Sequence, residues 1–356
     1  MIPFARTHDA AGSRRCGVDR STQAWSHGPR ITVVIPTFRR PELLCRCLEA
    51  VFAQTLDPSA YEIVVVDDGH SADTQAVVDR YRLRPEGPVL RFLRPHLGRG
   101  PAVARNAGWR AAYGKVIAFT DDDAVPESDW LANGERALAP GWVALAGRVA
   151  MPSAVDGVDL PNRPAAREPK TWALESTDLA VSNAFVRRSA LLTVGGFDER
   201  FQQAWGDASD LHLRLLRDAG PIGHSDDAVV LCPARPEHWN LCLEQQKNAY
   251  FDALLYKKHP RVSRERLLAA PPWNHYAIVA LTLAAPCLWM ADIDGSAVVS
   301  LLLAFGGVLR LALKRLRQSA PTAAGVAETV LTSALIPFLS VYWRLRGAIR
   351  FRVLFL

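Results

Sequence analysis

The chain alternates between short, almost wholly apolar runs and longer stretches in which apolar residues recur every three or four positions. Ile31-Thr-Val-Val-Ile35 is the first apolar run, closed by Pro36. Pro41 then opens a helical pattern carrying Leu43, Leu44, Cys47, Leu48 and Val51. Glu62-Ile-Val-Val-Val66 predicts a second strand, and residues 73–82 a second helix. Val89–Leu93 predicts a third strand, Pro101–Ala112 a third helix, Val116–Phe119 a fourth strand and Val143–Val149 a further one. Strands that are apolar at nearly every position are buried on both faces. The pattern therefore predicts an α/β fold, a mostly parallel sheet with helices on both sides.

Outside these units the pattern changes. Residues 1–29 have no periodicity and read as a flexible tail. Pro236–His259 predicts one long helix stopped by Pro260. Its stripe of Trp239, Leu243, Gln246, Tyr250, Leu254 and Lys257 suits either packing on the preceding domain or a lipid interface. Three apolar stretches follow, at Tyr276–Ala291, Ser296–Leu313 and Val326–Trp343. The first two predict a tight membrane hairpin. The third contains Glu328 and Pro337 and has basic clusters on both sides, which predicts a re-entrant or surface-lying helix. Buried helices of a soluble domain are the alternative, favoured by the short lengths and opposed by the basic flanks and by Trp273, Trp289 and Trp343 near the ends. The expected division is a tail (1–29), a catalytic domain (30–262), a linker (263–274) and membrane-associated helices (275–356).

Charge adds to this picture. The net charge is +6, but the arginines are dispersed and many lie beside the apolar runs of the last third. With no zinc-finger spacing and no RNA-binding signature, a membrane surface is expected as partner and nucleic acid is not. Basic flanks predict an inner (cytoplasmic) membrane location with the catalytic domain on the cytoplasmic side. The six cysteines include no CxxC pair, so free thiols in a reducing compartment are expected. No apolar segment resembling a cleaved secretory signal occurs at the N-terminus.

Candidate chemistry begins where the fourth strand ends in Asp121, Asp122 and Asp123. Carboxylates at i and i+2 can converge on one hard divalent cation; equally, they can cap the next helix. Asp67-Asp68 closes the second strand, and parallel topology brings both acidic clusters to the carboxyl edge, where ligands bind in such sheets. That juxtaposition favours a metal site. In His96-Leu-Gly-Arg-Gly-Pro-Ala-Val-Ala-Arg-Asn106, Gly98 and Gly100 permit close backbone approach ahead of a helix N-terminus. Arg99 or Arg105 would add charge-assisted contacts to a phosphate, although a plain turn explains the glycines nearly as well.

Taken in order, Ile31–Pro41, Glu62–Gly69, Ala104-Arg-Asn-Ala-Gly108 and Phe119-Thr-Asp-Asp-Asp123 resemble the motifs of family 2 glycosyltransferases, over roughly residues 30–235. The resemblance implies a Rossmann-like GT-A fold, a nucleoside diphosphate sugar donor, Mg²⁺ or Mn²⁺, and inversion at the anomeric carbon. It implies that Pro36, Thr37 and Phe38, with Asp67 or Asp68, receive the nucleobase and ribose, with Arg105, Asp121 and Asp122 also on the donor side. Asp67 has a competing reading as the cap of its own turn, and His70-Ser71 stands where relatives more often have Ser directly. Asp121 and Asp123 match the DxD pair, Asp123 as direct ligand and Asp121 acting on ribose or through water. Ser182–Arg188 resembles the stretch that reaches the donor sugar. Trp205-Gly-Asp-Ala-Ser-Asp-Leu211 departs from the family's Glu-Asp-x-Asp-Leu, because Ala208 stands where the general base is usual. Asp207 or Asp210 is then the candidate base, or the two form a capping pair. A lipid-linked or cell-envelope glycan acceptor is expected. An inactive nucleotide-binding subunit is the alternative that Ala208 raises, and a nucleotidyltransferase ranks below both for want of a triphosphate loop.

Overall fold

The apolar runs form the strands predicted for them. In the computed structural model, which describes residues 28–95, 99–151, 179–232, 241–263, 271–317 and 323–355, β1 (Ile31–Thr37), β2 (Tyr61–Asp67), β3 (Val89–Leu93) and β4 (Val116–Phe119) pair in parallel in the order β3-β2-β1-β4. The tail to residue 27, Gly98 and the Pro-rich stretch 152–169 lie outside the described residues. β5 (Val125–Pro126), β6 (Ala144–Ala150), β7 (Ala184–Arg187) and β8 (Ile222–Leu231) extend the sheet as β4-β7-β6-β8-β5. β7 runs antiparallel to both β4 and β6, so the sheet is mixed, and its first four strands are wholly parallel.

Successive side chains of β1 enter opposite layers, as strand geometry requires. Val33 and Ile35 pack with Leu44, Leu48 and Val51 of α1 (Pro41–Phe52) and with Val78 and Tyr81 of α2 (Ala72–Arg82). Val34 faces the other way, into the layer of Ala102 and Trp109 of α3 (Pro101–Ala111). α4 (Trp130–Ala137) joins the first layer; α5 (Arg188–Val194) and α6 (Asp207–Asp218) join the second. Thr37 pairs with Asp67, and Phe119 pairs with both Val34 and Ala184. The carboxyl ends of β1, β2 and β4 therefore share one edge with the start of β7.

Downstream, the predicted long helix is divided. Its residues 233–240, with Trp239, lie outside the described residues. The remainder forms α7 (Leu241–Glu244), a 3₁₀ turn (Gln245–Lys247) and α8 (Asn248–Lys258), and a short helix, α9 (Pro260–Val262), follows the stop. At the break the Gln246 side-chain amide donates to the Cys242 carbonyl (2.9 Å), the acceptor an uninterrupted helix would use for its own backbone.

Three apolar helices follow: α10 (Trp273–Met290), α11 (Asp294–Leu316) and α12 (Ala323–Phe351). α10 and α11 form the expected hairpin. The buried face of α11 is made of small residues, Ala297, Ser300, Ala304 and Ala312, which let two helices approach closely. Ser300 Oγ donates to the Leu281 carbonyl across the hairpin (2.9 Å). The opposite face exposes Val298, Leu302, Leu303, Phe305 and Leu309. By length and composition, Asp294–Leu316 and Gly325–Phe351 are apolar enough to cross a membrane. α10, the first arm of the hairpin, falls short, because it opens with Trp273-Asn-His-Tyr276. α12, expected as a re-entrant or surface segment, is one continuous helix running through Pro337.

The seam between α3 and the parallel strands gives a direct test. A methyl group at Gly108 would strike Val34 and crowd Val66. Gly108→Ala is expected to lower stability by about 1–3 kcal/mol through overpacking, read from thermal or urea unfolding.

Candidate active site

The carboxyl edge of the parallel strands is held together by its own carboxylates. Asp67, fully buried, accepts from the backbone N–H groups of Gly69 (3.0 Å) and Ser71 (2.7 Å), with Arg94 3.7 Å away. It caps the turn after β2, the competing role read from its position. Asp68 accepts from the Gly100 N–H (2.7 Å), fixing the entrance of α3 to β2. Gly100 has φ 111°, and a Cβ there would meet the Gln202 carbonyl at 2.7 Å, so only glycine fits this crossing. Thr37 Oγ1 donates to Asp122 (2.8 Å), and Arg40 pairs with its other oxygen (3.3 Å). Burial pushes the Asp122 carboxyl up, against the pull of Thr37 and Arg40. Beside this bracket Pro36 is partly buried, while Phe38 is 51% exposed and carries the Arg39 guanidinium 5.5 Å from its ring.

The other half of the edge converges on Arg105. Its guanidinium donates through Nη2 to Asp121 (2.9 Å) and through Nη1 to Asp207 (2.8 Å), and it lies 5.7 Å from the centre of the Phe197 ring. α3 supplies the arginine, the end of β4 supplies Asp121, and α6 supplies Asp207 as its first residue. Burial alone would lower the Arg105 pKa; Asp121 and Asp207 reverse this and raise it. Burial dominates at Asp207 and raises its carboxyl pKa even with Arg105 opposing. Asp123 is partly exposed at the mouth of the same turn, which is closed by the Ala124 N–H on the Asp121 carbonyl (3.2 Å).

Asp207 and Asp210 do not form a capping pair. The N-cap of α6 is Gly206, left-handed at φ 80°, and no side chain caps the helix. Asp210 instead accepts from Arg214 (2.8 Å), Lys258 (2.6 Å) and His259 (2.9 Å), and it is fully buried. Burial presses its pKa upward, but His259, Arg214 and Lys258 outweigh that and hold it below the usual range. Lys258 also reaches Asp198 (2.6 Å), so the end of α8 is pinned both to α6 and to the loop that follows α5. Of the two candidate bases, Asp207 stands in the site and Asp210 anchors α6 to α8.

Several further residues shape the edge without having been assigned a role from sequence. Asn106 accepts from Trp109 Nε1 (2.8 Å) and the Phe197 N–H (2.9 Å), and donates to the Phe197 carbonyl (2.9 Å) and Glu199 (2.8 Å). Asn183, within the stretch read as reaching the donor sugar, is fully buried; it accepts from Trp130 Nε1 and donates to the Arg148 and Ala228 carbonyls, each at 2.8 Å. Both asparagines stand inside the motif-like stretches, which was the available signal. Lys258 and His259 gave none, since a helix ending in basic residues ordinarily answers its own dipole.

The chain is similar to known proteins. Residues 32–195 match the family model described as Glycosyl transferase family 2. The glycosyltransferase AglE of Haloferax volcanii is 26% identical over 250 residues, spanning 69% of this chain and 80% of its own length. A GalNAc(5)-diNAcBac-PP-undecaprenol beta-1,3-glucosyltransferase of Campylobacter jejuni is 34% identical over 95 residues, 27% of this chain and 30% of its own length. The two validoxylamine A glucosyltransferases of Streptomyces hygroscopicus are matched over only 21% and 23% of their lengths. Among solved structures, the mannosyltransferase PcManGT from Pyrobaculum calidifontis, in complex with GDP-Man and Mn²⁺, superposes with a TM-score of 0.53 at 19% identity. That superposition covers 92% of this chain and 88% of PcManGT, and it establishes the GT-A fold.

The Lys258 junction yields a pH-dependent expectation. Asp198 and Asp210 both have depressed folded pKa values. Their stabilisation is therefore present above the unfolded carboxylate value of about 4 and is lost as pH falls through the folded values. Lys258→Met should destabilise by about 1–3 kcal/mol at pH 7. Unfolding measured in parallel at pH 7 and in acid should show that difference shrinking as pH falls below about 4.

Proposed function

We propose that this chain, whose residues 32–195 form a family 2 glycosyltransferase domain, is an inverting enzyme. It moves a sugar from a nucleoside diphosphate sugar to a hydroxyl of a lipid-linked or cell-envelope glycan acceptor. The observation that carries the reading is the Asp121–Arg105–Asp207 bridge. Inverting displacement needs the leaving diphosphate and the base on opposite sides of one sugar ring. One guanidinium here links a carboxylate of the acidic triplet to a second carboxylate on another element.

In this assignment Asp207 is the general base. Burial raises its carboxyl above the usual range and so makes it a stronger proton acceptor, and its pairing with Arg105 fixes its orientation. Asp210 is assigned to holding α6. Pro36, Thr37 and the exposed Phe38 ring receive the nucleobase, with Asp68 and Asp122 framing the ribose and Asp67 shaping the turn beneath them.

Among the described residues no three His, Cys, Asp or Glu side chains gather as a self-sufficient metal cage. Two carboxylates completed by phosphate oxygens and water are nonetheless a usual set for Mg²⁺, and we assign that half-set to Asp123 and to the Asp121 oxygen that Arg105 does not engage. Mg²⁺ or Mn²⁺ would neutralise the leaving diphosphate as a Lewis acid. The Mn²⁺ in PcManGT, which shares the fold, is in keeping with this.

The exposed apolar face of α11 supports attachment to a membrane, and a lipid-linked acceptor follows by analogy with the undecaprenol-dependent Campylobacter relative. We place α10 and α11 in the bilayer as a hairpin. In this placement α12 stays on the side of the α/β layer, a reading supported by the bonds of Arg315, at the end of α11, to Thr332 and Ser333 and by the contact of Gly347 with the Tyr250 backbone of α8. Basic residues at the ends of α12 favour the cytoplasmic side of the inner membrane. A weakened, nucleotide-binding subunit is the second reading, favoured by Ala208 and by the grip of Arg105 on Asp207.

Release of nucleoside diphosphate from UDP-, GDP- and dTDP-sugars, with Mg²⁺ and with Mn²⁺, tests the two readings. Turnover with one donor is expected; nucleotide binding without turnover on any donor would leave the second reading. Asp123→Ala should abolish metal-dependent turnover in a folded protein, and retained turnover would move the metal elsewhere. Asp207→Asn should lower transfer by roughly 10²–10⁴-fold while donor affinity, measured by titration, is unchanged.

A further inference from the structure

Where α8, α10 and α12 meet, four buried polar atoms have no hydrogen-bond partner: Nε and Nη1 of Arg344, the Tyr276 hydroxyl and Nδ1 of His275. They belong to one locality, because the Arg344 charge acts on His275, Tyr276 and also Asp252 of α8. The guanidinium of Arg344 lies 4.9 Å from the Phe355 ring centre, which restrains it without using its N–H groups. Arg344 is partly buried, and leaving two of its enclosed donor atoms unmet is costly, so such orphans in a native fold call for a water, an ion or a ligand. Asp252 does not meet the need. Its Oδ1 accepts from Trp205 Nε1 (2.7 Å), and although its carboxyl, pushed up to about 6 by burial, stays mostly ionised at neutral pH, it makes no hydrogen bond to Nε or Nη1 of Arg344.

The character of the site follows from its donors. A guanidinium edge, a phenol O–H and an imidazole nitrogen able to donate in one tautomer suit the oxygens of a phosphate. Its position follows from the helices. Tyr276 and His275 lie in the first turn of α10, beside Trp273, where the hairpin leaves the α/β layer, and aromatic residues at such a point mark a membrane interface. Ionisable groups buried against membrane helices are themselves pointers to function. Through Asp252 the cluster is tied to Trp205, two residues before Asp207.

We infer that Arg344, His275 and Tyr276 form the binding site for the phosphate group of a membrane-seated, lipid-linked acceptor. The site holds the head of the acceptor beside the loop that leads to Asp207. The assignment of an acceptor rests on the glycosyltransferase reading above, whereas phosphate binding can be measured without it.

The test uses the full chain in detergent, with Arg344→Gln and Tyr276→Phe. Binding is measured to phosphatidylcholine vesicles that are plain, or doped with either a polyprenyl phosphate or phosphatidylglycerol, and in competition with inorganic phosphate. Donor hydrolysis without acceptor is followed in parallel. The wild type should prefer polyprenyl phosphate vesicles. Arg344→Gln should weaken that binding by at least about 10-fold, the loss expected for a charge-assisted hydrogen bond, and Tyr276→Phe by a few-fold, with donor hydrolysis unchanged in both. Equal binding by Arg344→Gln would overturn the site. Equal binding to phosphatidylglycerol, or full competition by inorganic phosphate, would reassign it to general anions and overturn the acceptor role. If Arg344→Gln does not fold, unchanged binding by Tyr276→Phe overturns the site. Absent donor hydrolysis in the wild type would count against the glycosyltransferase reading, with the vesicle result standing separately.

Discussion

The Arg105 guanidinium is the interaction on which the edge of this sheet depends. From within α3 it joins Asp121 at the end of β4 to Asp207 at the start of α6, and neither Arg105 nor Asp207 could be buried alone. Asp207 is almost fully enclosed, and a lone ionised carboxylate in that setting would be strongly unfavourable. With Arg105 between them, Asp121 and Asp207 occupy one small volume with their charges opposed by a fixed, bidentate cation. The pair of carboxylates is the chemistry a transfer site needs, and the arginine is what permits the fold to bring them together.

The same logic joins the α/β layer to the helices that follow it. Asp210 and Asp198 are neutralised by Lys258 and His259 at the end of α8, while Phe201 packs with Phe251, Leu254 and Leu255 of that helix. Trp205 adds a hydrogen bond to Asp252. The loop before α6 is thus clamped on both sides of Asp207 by α8, and α8 in turn rests on α12. Packed side chains and ion pairs thus form a continuous path from α12 through α8 to the loop that precedes the residue proposed as base.

Much of the α/β part was legible from pattern. Strands β1 to β4 are buried on both faces, so they read as uninterrupted apolar runs, and helices α1 to α3 show their stripes because one face of each meets the sheet. The placement of both acidic clusters at one edge followed from parallel topology. The apolar helices were legible in existence and less so in behaviour. Hydropathy reports that a segment avoids water, but the continuity of α12 through Pro337 depends on neighbours that no window along the chain contains.

What the sequence by itself determined is the set of elements and the edge at which carboxylates gather, because periodicity and strand order act locally and cumulatively. Which partners each carboxylate meets was decided only in three dimensions. Asp67, Asp122 and Asp210 look as available as Asp207 when written in a line. Backbone N–H groups of a turn, Thr37 with Arg40, and Lys258 with His259 hold the first three, and Arg105 holds Asp207. Partners tens of residues away set the charge and burial of a side chain, and spacing along the chain does not encode them. The acidic triplet marked the place; long-range ion pairs chose among its neighbours.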